Sequence, residues 1–136
     1  MFAVNPLALA ITGLIPTVLG MLWYSPLLFA DPWMKSMGIQ IDDIQDSGVN
    51  PAWGYAASAV LGYVLTYGMA VLVGAMGINS FVVGALLGAG VWLVFNFTAV
   101  AKYIFFEDRP LLLVLIDGAY DVLTYALVGG VLSVWI

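Results

Sequence analysis

Apolar residues form long runs in this chain, and the charged residues fall mainly in two short polar regions between them. No charge precedes Asp31, none lies between Asp46 and Lys102, and only two aspartates follow Arg109. A helix that crosses a bilayer needs about 20 mainly apolar residues. The runs therefore accommodate one, two and one such helices, with Lys102 inside the third. We predict spanning helices at about 6–29, 51–76, 81–106 and 110–135.

Capping residues mark where several helices begin. Asn and Asp side chains accept hydrogen bonds from the free amides of a first helical turn, and proline suits the first helical position. Such pairs occur at Asn5-Pro6, Asp31-Pro32 and Asn50-Pro51. Within the first span, Pro16 removes a backbone hydrogen bond and predicts a kink.

Residues 30–50 form the one long polar connection. Its start predicts a short helix that lies on the membrane surface and ends at Gly38. The aspartates that follow, at 42, 43 and 46, lack the alternating spacing of a calcium loop, so we expect a solvated acidic loop there.

These elements predict a single all-α domain over 1–136, an integral membrane four-helix bundle of two antiparallel hairpins with a short interfacial helix after the first span. Small residues repeat every fourth position in span two, and glycines follow in span three. Small stripes let helices approach closely in lipid. They indicate either a tight hairpin of spans two and three or a face that binds further copies of the chain. The stripe residues are Ser58, Gly62, Thr66, Ala70, Gly74, Gly84 and Gly88.

Composition narrows the function classes. The 136 residues are 64% hydrophobic and 8% charged, with a formal net charge of −5. So few basic groups argue against nucleic-acid binding. The sequence contains neither His nor Cys, which excludes His-dependent triads, thiolate nucleophiles and the usual zinc and haem sites. We therefore expect no metal, no cofactor and no enzyme activity.

Two carboxylates, Asp117 and Asp121, lie inside the predicted fourth span. A charge near the middle of an isolated spanning helix costs about 2.5–3.5 kcal/mol, so these groups should face protein or water. Residues four apart share a helix face, and Thr124 continues it. Such groups either lie on ion or proton pathways or form hydrogen bonds that determine how the helices dock.

Other polar residues in the spans are candidate partners for these carboxylates. Counted outward from the turn at 107–109, Asn96 lies at nearly the same depth along the bundle as Asp121. The side chain of Lys102 is long enough to reach the depth of Asp117. Lys102 either pairs with Asp117 or extends to the membrane interface. Asn96 and Lys102 point about 120° apart, so both cannot face span four. Two tyrosines one turn apart in span two are further candidate donors: Tyr63 and Tyr67.

The basic residues predict an orientation. Lys35, Lys102 and Arg109 all fall at one side of the four spans. Because basic residues favour the cytoplasmic side, we expect the two longer connections in the cytoplasm and both termini outside.

Short motifs of Asn, Pro, Trp and Tyr lie at both ends of the chain. Their residues are Asn5, Pro6, Trp23, Tyr24, Ser25, Pro26, Trp33, Arg109, Pro110 and Tyr120. With these motifs the chain resembles a family of small bacterial four-span membrane proteins known only as a domain of unknown function. The resemblance implies a bacterial inner membrane and no established activity. The family usually has Asn or Asp at the position of Asp117 and no carboxylate at that of Asp121, so it implies no obligatory proton transfer.

Two functions fit these observations best. The first is a non-enzymatic, homo-oligomeric module in the lipid bilayer whose polar interior organises packing and accommodates a small ligand or lipid group. The second is a proton- or cation-coupled transporter or channel subunit that uses Asp117 and Asp121. The turn from Trp23 to Pro26 is either a structural bend or a binding surface.

Overall fold

The computed structural model describes residues 4–48 and 50–135, and the regular structure within these ranges is helical. The elements are α1 (Pro6–Thr12), α2 (Ile15–Trp23), α3 (Ala30–Met37), α4 (Ile41–Asp46), α5 (Pro51–Ala75), α6 (Phe81–Val91), a π-helical segment (Trp92–Phe97), α7 (Thr98–Phe106) and α8 (Leu111–Trp135). Four units are long and apolar enough to cross a membrane, namely Pro6–Trp23, Pro51–Ala75, Phe81–Phe106 and Leu111–Trp135. These units, spans one to four, confirm the predicted all-α class and indicate a membrane protein.

Span one is shorter than the predicted 6–29 and is interrupted. The helix breaks just before Pro16, whose ring nitrogen has no hydrogen to donate. The span then ends at Trp23. Beyond it, the Ser25 hydroxyl donates to the Leu22 carbonyl at 2.7 Å and accepts from the Leu27 amide at 3.3 Å. These local bonds replace helical ones, so residues 24–29 form a turn that leads into α3.

The polar connection contains two short helices. The first, α3, ends as predicted at Gly38, which has the left-handed φ of 68° that suits glycine. The second, α4, lies where a solvated acidic loop was expected. The Asp43 carboxylate accepts from the Gln40 amide at 2.7 Å, and the Gln40 side chain accepts from the backbone of the first turn. This reciprocal capping explains why the acidic segment is helical.

Span four, the single helix α8, is the element on which the others assemble. It packs most extensively on α6, and also on α5, α2, α1 and α3. Spans two and three therefore do not form the closely packed pair predicted from the glycine stripes. A Cβ atom on Gly84 or Gly88 would overlap the backbone of span four, whereas one on Gly62 would meet Pro16 of span one. The small residues do allow close approach, but to other partners.

The half of the bundle that contains the start of span one and the end of span four is closely packed. Its core is built from Met69, Val73, Val128 and Leu132, which are at most 2% exposed. At the other end α6 gives way to the π-helical segment, and α7 makes few contacts with α8. The bundle is consequently tight in one half and loosely packed in the other.

Candidate functional site

Asp117 lies in the looser half and is held by two aromatic donors. The Tyr24 hydroxyl donates to Asp117 Oδ1 at 2.8 Å, and the Trp33 indole N–H donates to the same oxygen at 3.1 Å. The turn after span one positions Tyr24, and α3 packs on α8 to position Trp33. Burial, together with the bond to Asp117, raises the pKa of the Tyr24 phenol above its usual value. Tyr24 is therefore a donor throughout the physiological pH range.

Two further aromatic side chains attach the same part of span four to span one. The Trp23 indole N–H donates to the Ile116 carbonyl at 3.1 Å, and the Tyr120 hydroxyl donates to the Pro16 carbonyl at 2.8 Å. The Tyr24 and Tyr120 rings lie 5.5 Å apart between centroids. The turn that follows Trp23 is thus a bend whose aromatic residues contact span four.

Asp121 lies one turn beyond Asp117 and faces Trp92 of the π-helical segment. The Trp92 side chain is only 9% exposed, and its ring lies against Gly118. Its indole N–H approaches the Asp121 carboxylate. The geometry falls short of a hydrogen bond, and the N–H has no other partner in the described part of the chain. Buried indole N–H groups usually find a partner, so this donor is available.

Both carboxylates line one cavity of about 560 Å³, which we call the acidic cavity. Its walls come from α3, α4, the turn after span one, and α8. The lining residues are Tyr24, Ala30, Trp33, Met34, Ile44, Asp117, Tyr120 and Asp121. A second cavity of about 260 Å³ shares Tyr24 and Tyr120 and extends between spans one and two to Tyr55 and Ser58. The tyrosine pair therefore borders both cavities.

Lys102 does not pair with Asp117. It lies on an exposed face of α7, and its ammonium nitrogen is 5.2 Å from the centre of the Tyr103 ring. Arg109 stacks 4.2 Å from the same ring. Within residues 4–48 and 50–135 the one ion pair joins Arg109 to Glu107, at 3.3 Å. The carboxylates of span four thus have no cationic side-chain partner there.

Other predicted donors are also used elsewhere. The Asn96 amide donates to the Tyr125 hydroxyl at 2.7 Å, one turn beyond Asp121. The Tyr63 hydroxyl donates to the Ala10 carbonyl of span one at 3.0 Å, and Tyr67 is 57% exposed. Among the described residues, span two therefore supplies neither carboxylate with a donor.

Thr124 lies outside the lining of the acidic cavity. Its side chain is 3% exposed and lies near Tyr120. The sequence does not predict the aromatic residues around the carboxylates: it places Tyr24, Trp33 and Tyr120 in motifs without naming their partners, and it assigns no role to Trp92. The sequence does contain one indication: each of these side chains has an indole N–H or phenol O–H that needs a hydrogen-bond partner in an apolar environment.

Comparisons with known proteins identify a family for this chain but do not identify an activity. A family model described as a protein of unknown function (DUF1761) matches residues 7–133. No curated protein and no solved structure matches the chain.

Proposed function

We propose that this chain, which belongs to the DUF1761 family of proteins of unknown function, is a non-enzymatic membrane protein that binds a small organic cation. The site is the acidic cavity at one end of the bundle. The main support for this proposal is the lining of the cavity, which contains both Asp117 and Asp121 but no Lys or Arg among its described residues. The aromatic residues beside the carboxylates are Tyr24, Trp33 and Tyr120.

Charge balance supports a cation. Two carboxylates that line one cavity without a cationic side-chain partner attract a positive charge, because an unpaired charge in a largely apolar setting is costly. Tyr24 and Trp33 are neutral donors, and both bind Oδ1 of Asp117. Oδ2 of Asp117 receives no hydrogen bond from the described residues and remains open to a ligand. Aromatic faces beside carboxylates attract ammonium groups, which favours an organic cation over a metal ion.

Packing supports binding rather than passage. The cavity is confined to one half of the bundle, and the other half is filled by the core around Met69 and Leu132. A cation that entered from the α3 side would meet this packed half.

We further propose an inner membrane location with both termini outside, and partners that comprise the bilayer and further copies of the chain. The many large apolar side chains exposed on the outer helix faces support a lipid or protein environment.

The test is an NMR titration of tetramethylammonium with the protein in dodecyl maltoside. Changing Asp117→Asn together with Asp121→Asn should weaken binding at least about tenfold, since charged contacts are lost. Asp42→Asn, an exposed carboxylate outside the cavity, is the matched control. Equal binding by the double variant and the control would contradict the proposal.

Liposome flux separates binding from the transport alternative. Wild type and the Asp117→Asn/Asp121→Asn variant should show equal proton and cation flux. Flux that is present in the wild type and lost in an equally stable double variant would establish a transport site instead.

A further inference from the structure

A second, apolar opening lies beside the acidic cavity. Where α7 separates from α8, a groove of about 400 Å³ runs between them, which we call the apolar groove. Its lining residues are Trp92, Phe97, Val100, Ile104, Leu111, Val114, Leu115, Gly118, Ala119 and Val122. Apart from the indole N–H of Trp92, these described side chains carry no polar group. The groove is therefore suited to hydrocarbon.

The two openings lie on adjacent faces of span four. Asp117 and Asp121 line the acidic cavity, and the residues that directly follow them, Gly118 and Val122, line the apolar groove. One residue step turns an α-helix by about 100°. Trp92 lines the apolar groove, its ring lies against Gly118, and its buried indole N–H has no hydrogen-bond partner among the described residues. A charged group and an apolar chain thus have neighbouring sites on one helix.

We propose that the ligand is a cationic amphiphile, with its ammonium group in the acidic cavity and its alkyl chain in the apolar groove. This inference rests on the proposed function, which it extends by naming the ligand class. A headgroup that also carried a phosphate would find no basic partner among the described lining residues. The charge of the site therefore selects an amphiphile with a single positive group over a zwitterionic lipid.

The experiment compares dodecyltrimethylammonium with tetramethylammonium by NMR titration of the full chain in dodecyl maltoside. The wild type should bind the long-chain compound at least about tenfold more tightly, because burying two methylene groups already accounts for roughly that ratio. Ala119→Phe fills the groove from an exposed position. The ratio of dodecyltrimethylammonium affinity to tetramethylammonium affinity should therefore fall by about tenfold, while tetramethylammonium binding is retained.

Ala57→Phe is the matched control, because Ala57 is an exposed alanine of span two outside the cavity linings. If Ala119→Phe and Ala57→Phe both keep the wild-type ratio, the alkyl site is refuted, while the cation site stands on the loss of binding in the aspartate variants. If the wild type binds neither compound, the proposed function itself fails.

Discussion

At the scale of single residues, the site depends on how one carboxylate is accommodated in an apolar bundle. A charge inside a spanning helix costs about 2.5–3.5 kcal/mol. Each hydrogen bond to a charged group contributes about 1.5–3 kcal/mol. The two bonds from Tyr24 and Trp33 to Asp117 together contribute about 3–6 kcal/mol, which is enough to offset that cost for this one carboxylate. They also fix the carboxylate in one position, as a binding site requires.

Tyr24→Phe tests this account, because it removes a donor and keeps the ring. The free energy of unfolding should fall by about 1.5–3 kcal/mol, the size of a hydrogen bond to a charged group. Thermal unfolding in dodecyl maltoside measures the change, with Tyr67→Phe as a control at a tyrosine that is 57% exposed. In an Asp117→Asn background the loss should shrink, and an unchanged loss would show that Tyr24 stabilises the protein by another route.

At the scale of elements, glycines decide which helices meet. The lipid supplies no hydrophobic force between helices, so their association depends on the van der Waals contacts that form when the backbones approach closely. Gly84 and Gly88 of α6 face the backbone of α8 at Gly129 and Tyr125. Beyond this contact the π-helical segment changes the register of span three, and such segments often occur at functional sites. The tight contact and the groove next to it therefore both belong to span three.

Gly88→Ala should weaken the contact between α6 and α8. The added Cβ would overlap the Tyr125 carbonyl, so the helices have to separate, at a cost of about 1–3 kcal/mol. Gly68→Ala in span two is the matched control, since the Cβ it adds would meet no described atom within 4 Å outside its immediate helical neighbours. There the higher helix propensity of alanine should leave the melting temperature equal or higher. Equal melting temperatures for both variants would refute the contact.

At the scale of the whole molecule, the bundle has a closed half and an open half. Met69, Val73, Val128 and Leu132 fill the first. The cavities and the groove occupy the second, next to the polar connection and the turn before span four. Ligand access is therefore expected from the membrane side that carries Lys35, Lys102 and Arg109.

Cysteine labelling tests this arrangement, and the natural sequence contains no cysteine that would interfere. Gln45→Cys and Asp108→Cys should react with a membrane-impermeant maleimide from the cytoplasmic side, and Ile78→Cys from the opposite side. The reason is that four consecutive spans place the connections on alternating sides. Reaction of Ile78→Cys and Asp108→Cys from the same side would contradict the four-span topology, whereas a uniform reversal would contradict only the orientation.

The sequence by itself determined the spans and several of their ends. Apolar run length decides which segments can cross a bilayer, and this depends on no tertiary contact. Capping is equally local: Asn5 accepts from the Leu7 amide at 3.0 Å, and Asn50 accepts from the Ala52 amide at 3.0 Å. The paired carboxylates on one helix face also follow from spacing alone.

Only the tertiary structure decided which residues surround those carboxylates. Depth along a span limits possible partners, but it does not fix how each helix is rotated or which helix lies beside it. Lys102 has a suitable depth for Asp117 and yet lies on an exposed face of α7, whereas Tyr24 and Trp33 reach Asp117 from 93 and 84 positions away in sequence. Glycine stripes likewise show that a helix can approach closely, without showing which neighbour it approaches. Which helices lie next to span four depends on how all the helices pack together, and the sequence pattern of a single helix does not determine it.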